Sequence, residues 1–183
     1  MKFKNIANDA INFGIKRFIE IICIIIVMAG ILLLISLVTY SPDDPNFIFP
    51  ENTEIKNFLG FRGSFTADIF FQAFGLITLL IPFSLIITGL NIFLNKKIYL
   101  FIQTVFYTIL YSSLGSLFFS FFYSASFSLY INGNGGFIGK YLQTTFLKSI
   151  IDINSQVSYF VLIFLILILF LISIQFKISF FYA

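Results

Sequence analysis

The stretch Leu37-Val38-Thr39-Tyr40-Ser41-Pro42-Asp43-Asp44-Pro45-Asn46 decides how this chain is read. An apolar run precedes it, and the longest polar segment of the sequence follows. Pro42 pushes Ser41 out of the helical region and ends any helix arriving there. Asp43 and Asp44 come next. A carboxylate at bilayer depth costs several kcal/mol, so the pair is expected to hold the chain in water. The run behind them, roughly 18–40, is about 34 Å long as a helix, enough to cross hydrocarbon with some tilt.

Composition points the same way. The chain has 183 residues, 59% hydrophobic and 10% charged, against about 25% charged in a soluble domain. Mean hydropathy is +1.01. Pattern carries more weight than content, because the apolar residues fall in blocks of about 20, the length that spans a membrane as a helix. No histidine is present, which removes the commonest general base and metal ligand. Cys23 stands alone in an apolar run and can form no intrachain disulfide. A net charge of +3 without a dense Lys/Arg block gives no nucleic-acid surface. With no tryptophan, an interfacial aromatic belt must rest on tyrosines such as Tyr40, Tyr99, Tyr123, Tyr130 and Tyr159.

Residues 1–17 form a basic amphipathic segment, read either as a short helix lying in the headgroup region or as a polar tail orienting the first span. The long apolar run and the lack of a small-residue cleavage pattern argue against a cleaved signal peptide. The segment 41–65, broken by Pro42, Pro45, Pro50, Gly60 and Gly63, reads as a loop. A short surface helix is possible around Glu54–Leu59. Span two is expected over 69–93, with Asp68 at its positive end and a kink at Pro82. Thr78 and Ser84 lie close enough to satisfy freed backbone groups. Asn95-Lys96-Lys97 is a tight link to an antiparallel neighbour.

Span three, 98–122, carries Thr104, Thr108, Ser112, Ser116 and Ser120 at steps of four. Such a ridge drifts about 40° per step on a 3.6-residue helix. Small hydroxylated residues let another helix approach closely, so a packing seam is the first reading. A polar lining for a solute and back-bonding to the helix's own carbonyls are the alternatives. Ser124 and Ser128 continue the spacing. Beyond them, Asn132-Gly133-Asn134-Gly135-Gly136-Phe137-Ile138-Gly139 reads as a glycine-permitted turn. It leads into a helix over Phe137–Ile153, expected to lie flat with Ile138, Leu142, Phe146, Leu147, Ile150 and Ile151 on one face. Span four, 157–176, is almost unbroken Ile, Leu and Phe, and a short tail, 177–183, follows. The whole reads as an all-α membrane protein of four transmembrane helices with amphipathic interfacial segments.

Charge counting orients it. With both ends inside, the inner segments hold Lys2, Lys4, Lys16, Arg17, Lys96, Lys97 and Lys177, and the outer ones hold Lys56, Arg62, Lys140 and Lys148. Seven against four places the amino terminus in the cytoplasm.

Chemistry is sparse. Asp43, Asp44, Glu51 and Glu54 could suit a hard cation, but acidic residues on an outer loop also simply keep it in water. No metal, cofactor or catalytic residue is assigned. A small four-helix transporter or channel of unknown substrate is the alternative, although the spans hold essentially no ionisable residue between their ends.

Tyr40-Ser41-Pro42-Asp43-Asp44-Pro45 resembles the first-span exit of the four-helix membrane domain of FtsK/SpoIIIE-type DNA translocases. The resemblance continues through Asn57, Leu59-Gly60, Gly63, Ala67-Asp68, Phe74-Gly75 and Pro82. Gly135-Gly136-Phe137-Ile138-Gly139 is similar to that domain's GG-x-x-G element. The resemblance implies a bacterial inner-membrane anchor that places a hexameric DNA pump at the division septum and helps assemble the divisome. It implies partners among divisome membrane proteins, a homo-oligomer in the bilayer, and nucleic acid met only through a motor domain. The G-x-x-x-x-G-K-[ST] phosphate loop of that motor is missing from these residues, so the resemblance reaches the anchor alone. The candidate interaction or structural positions are Ser41, Pro42, Asp43, Asp44, Pro45, Asp68, Pro82, the five ridge residues, and Gly135, Gly136 and Gly139.

Overall fold

The apolar blocks become helices because a chain in lipid must satisfy its backbone groups internally. A computed structural model describes residues 2–45, 54–124 and 132–176, with side chains from Ile11 onward. Within them, four helical stretches are long and apolar enough to cross a membrane: Ile11–Val38, Gly60–Asn95, Tyr99–Phe122 and Ser155–Ser173. No strand occurs among the described residues. The chain is an all-α membrane protein.

Helix α1 (Lys2–Val38) runs without a break through the basic amino-terminal segment and the first span. Residues 2–17 are thus continuous with the first span, and no helix end at residue 17 sets off a separate short helix. Its buried face is Cys23, Ile26, Gly30, Leu33 and Leu37, with alternating steps of three and four. That spacing is the seam by which one helix packs beside another at a shallow angle. The partner is α3 (Ile81–Asn95), and each helix offers a glycine at the crossing. A Cβ added to Gly30 would sit 2.8 Å from Ile86 Cγ1, and one added to Gly89 would sit 2.6 Å from Val27 Cγ2. Close backbone approach is what small residues supply to membrane helices that lack a hydrophobic drive to associate.

The second crossing differs from expectation in two ways. Helix α2 (Gly60–Phe74) starts inside the segment read as loop, and no helix forms over Glu54–Leu59. The departure from α geometry also lies ahead of Pro82. It is a 3₁₀ segment over Gly75–Leu80, and Pro82 falls in the first turn of α3. A proline there costs little, because its missing N–H would be unpaired anyway. Thr78 does serve the interrupted backbone, its Oγ1 donating to the Phe70 carbonyl at 2.9 Å. Ser84 does not, and bonds Tyr111.

Lys96, left-handed with φ 55°, turns the chain into α4 (Tyr99–Phe122). The expected flat helix over Phe137–Ile153 is two helices, α5 (Gly136–Gln143) and α6 (Leu147–Ile153), separated at 144–146. Gly136 and Gly139 face inward in α5, whereas Phe137, Lys140 and Tyr141 face outward. Phe146 and Ile150 are exposed and Ile151 is buried, so the six apolar residues do not share one covered face. Helix α7 (Ser155–Ser173) buries Leu162, Ile166 and Ser173 and leaves most of its apolar surface outward, as a lipid-facing helix does.

The two ends of the bundle differ. Lys96 Nζ meets Glu20 at 2.7 Å, which sets the α3–α4 link beside the middle of α1. Lys16, Arg17, Lys96 and Lys97 thus gather at one end. Lys56, Arg62, Lys140 and Lys148 belong to the loop end opposite, the grouping that the charge count assumes. Lys177 and the tail 177–183, Glu51, Ser128 and Tyr130 lie outside the described residues.

Candidate functional site

The loop end is built around Asp44. It is fully buried, and its two carboxylate oxygens accept the backbone N–H groups of Lys56 and Asn57, each at 2.8 Å. The expectation that both acids hold the chain in water is corrected for Asp44. Two returning amides replace the water that a carboxylate otherwise needs. Asp43 alone is exposed, and it pairs with Lys56 Nζ at 3.0 Å. Ser41 Oγ accepts the Asp43 N–H at 3.4 Å. Pro42 is exposed, while Pro45 is buried and its carbonyl accepts from Ser64 Oγ at 3.4 Å.

Asn57 closes the end of α1, whose last carbonyls lack helical partners. Its Nδ2 donates to the Ser36 carbonyl at 2.9 Å and the Thr39 carbonyl at 3.3 Å, and its Oδ1 accepts the Leu59 N–H at 3.1 Å. Ser36 Oγ donates to the Gly63 carbonyl at 2.5 Å. A Cβ on Gly63 would run into the Asn57 side chain, so this position takes glycine.

Asp68 is not at a helix start as expected; α2 begins at Gly60, so Asp68 lies two turns inside and is buried. Tyr40 Oη donates to its Oδ1 at 3.0 Å, and Gln72 Nε2 approaches the same oxygen at 3.5 Å. Gln72 Oε1 in turn accepts from the backbone N–H and Nδ2 of Asn132, at 3.2 and 3.0 Å. One polar chain therefore ties the exit of α1 to α2 and to the turn before α5.

The glycine element is a packing element. Leu76 N–H donates to the Asn134 carbonyl at 2.9 Å. Gly75 and Gly136 both hold positive φ, 73° and 63°, where they meet: a Cβ on Gly136 would lie 2.6 Å from the Ala73 carbonyl oxygen. Gly135 and Gly139 rest on α4, where a Cβ would come within 2.7 and 3.0 Å of Ser120 Cβ and closer still to the Ser116 backbone. Asn134 donates to the Tyr123 carbonyl.

The ridge of α4, buried except for half-buried Thr108, lies against partners within the same chain. Ser116 Oγ bonds the Phe74 carbonyl at 2.8 Å, and Ser120 Oγ donates to Gln143 Oε1 at 3.2 Å. Toward the other end, Thr104 Oγ1 meets Thr88 Oγ1 at 2.7 Å, the Ser173 carbonyl at 2.8 Å and Gln175 Nε2 at 3.2 Å. Thr108 Oγ1 lies 3.2 Å from Ser173 Oγ, which donates to Ser84 Oγ at 3.0 Å, and Ser84 lies 3.0 Å from Tyr111 Oη. Ser112 back-bonds to the Thr108 carbonyl at 2.6 Å. The ridge is thus a seam to α5 at one end and to α3 and α7 at the other, with back-bonding in its middle. Ser124 is exposed, so the seam stops before it.

These groups bond hydroxyl to hydroxyl and hydroxyl to carbonyl, an arrangement that fixes helices and activates no nucleophile. Among the described residues no three of His, Cys, Asp and Glu lie close enough to hold a metal ion. Several residues that organise the site escape sequence reading. Gly30 and Gly89 carry a usable signal, single glycines within apolar runs. Gln72, Tyr111 and Asn132 carry none, because their partners lie 60 residues away for the Gln72–Asn132 pair and 27 for Ser84–Tyr111.

Four crossings, with a glycine-packed short helix and a polar clamp at one end, define a membrane-embedded helical domain. The chain belongs to the family described as the 4TM region of DNA translocase FtsK/SpoIIIE, whose profile matches residues 15–182. It is 34% identical over 73 residues to DNA translocase FtsK of Rickettsia bellii (strain RML369-C), a stretch covering 40% of this chain and 10% of that protein. No solved structure matches. Membership makes this a multi-pass bacterial membrane protein. Of the residues that carry the resemblance, Asn57, Gly63 and Asp68 belong to the clamp, Ala67 is buried in the core, and Gly75 packs against the glycine turn.

Proposed function

We propose that this chain is the membrane-anchoring and interaction domain of an FtsK-like DNA translocase, holding the motor at the division septum in cell division and chromosome segregation. Both termini are cytoplasmic in this reading, the loop end faces outward, and the DNA-moving ATPase resides in a separate motor domain. The observation that supports it is the build of the loop end. Its polar groups are spent on fixing the loop and α5, while Phe58, Phe61, Phe137, Tyr141 and Phe146 are left outward, Phe58 at 80% exposure and Phe146 at 73%. A rigid surface with aromatic anchors is what protein contacts favour, here with divisome membrane proteins or a second copy of the chain. The hydroxyl network closes on itself between helices, which favours packing over a solute path.

Photo-crosslinking in dividing cells tests this. A photoreactive residue at Phe58, Phe137 or Phe146 should capture division-site membrane proteins, whereas one at Phe164 on the lipid face of α7 should not. Equal capture from all four positions, or none from the loop end, contradicts the proposal.

A further inference from the structure

At the basic end, the ends of α3, α4 and α7 enclose a cleft of about 670 Å³ lined by Leu94, Asn95, Lys97, Tyr99, Leu100 and their neighbours. That volume is within the range of small-molecule sites. The cleft is preformed, because hydrogen bonds from side-chain amides tie the exit of α7 to both neighbours. Asn91 Nδ2 donates to the Ile174 carbonyl at 3.1 Å, and Gln175 Nε2 donates to the Leu100 carbonyl at 3.2 Å.

Its charges are unequal. Lys96 is already engaged, by Glu20 at 2.7 Å and over the Phe93 ring at 4.1 Å. Lys97, next in sequence, is exposed at the cleft and makes no ion pair among the described residues. Among the residues whose side chains are described, this end sets Lys16, Arg17, Lys96 and Lys97 against Glu20 alone. Beside Lys97 stand the Asn95 amide and the exposed Tyr99 phenol, with apolar walls running from Leu94 and Leu100 toward Ile87.

We propose that this cleft binds one anionic glycerophospholipid, its phosphate held by Lys97 with Asn95 and Tyr99 beside it, and an acyl chain along Leu94, Leu100 and Ile87. A basic pocket between membrane helices with an apolar wall matches both halves of such a ligand. A zwitterionic lipid offers the same phosphate but brings its own cation to it, so only a lipid with net negative charge offsets the charge of Lys97.

Native mass spectrometry of the detergent-purified full chain, delipidated and titrated with phosphatidylglycerol or chain-matched phosphatidylcholine, tests the proposal. One phosphatidylglycerol should be retained preferentially. Lys97→Gln should weaken its binding about fivefold, the effect of one lysine at a lipid surface, and Lys97→Arg should keep it. Lys148→Gln, at the opposite end, should leave it unchanged. Equal retention by wild type and Lys97→Gln, an equal loss in Lys148→Gln, or a dimer whose formation displaces the lipid overturns the proposal.

Discussion

The buried carboxylate of Asp44 accepts the Asn57 backbone N–H at 2.8 Å, and Asn57 then reaches back with its side chain to cap α1 at Ser36. The loop is thereby fastened to the helix it leaves. The neighbouring Asp43 pairs with the Lys56 side chain at the surface.

The two acids should therefore separate on substitution. Asp44→Ala leaves the buried Asn57 amide and the part-buried Lys56 amide without their charged acceptor, and should cost about 2–4 kcal/mol. Asp43→Asn removes an exposed ion pair and should change stability by less than about 1 kcal/mol. Thermal unfolding in detergent micelles, followed by circular dichroism, gives both values.

Glycine substitutions should sort by position. Gly89→Leu forces α1 and α3 apart and should destabilise by about 1–3 kcal/mol. Gly14→Ala has open space around its Cβ, and should stabilise by about 0.5–1 kcal/mol through helix propensity. The same unfolding measurement distinguishes them.

The seam on α4 should be measurable one hydroxyl at a time. Thr104→Val removes the hydroxyl shared by Thr88, the Ser173 carbonyl and Gln175 and should cost about 1–2 kcal/mol, since inter-helix hydrogen bonds in membranes average near 0.6 each. Ser113 bonds only its own helix, at the Ile109 carbonyl, so Ser113→Ala should be close to neutral. A Thr88→Val/Thr104→Val double-mutant cycle should return a coupling of about 0.6 kcal/mol.

Much of this fold is legible in the sequence because lipid imposes simple rules. Apolar length gives the crossings, Pro42 gives the end of the first, and four-residue spacing gives the ridge. The rules fail where a distant group substitutes for water. Asp44 reads as solvated because nothing local shows that amides 12 and 13 residues onward will satisfy it. Asp68 reads as a helix start because the sequence extends the loop to residue 65, whereas Asn57 and Gly63 allow α2 to begin at Gly60. Pro82 reads as a kink because its place in a first turn depends on the 3₁₀ segment before it. That segment exists because Gly75 must meet Asn134 and Gly136, a contact set by tertiary packing.

The proposed septal targeting would act through the loop end that Asp44 holds in shape. Fluorescent fusions of the chain, imaged in dividing cells at matched membrane levels, test it most directly. Wild type and Asp43→Asn should concentrate at the division site, and Asp44→Ala should spread evenly around the membrane. An even distribution of the wild type, or septal Asp44→Ala indistinguishable from it, would contradict the account.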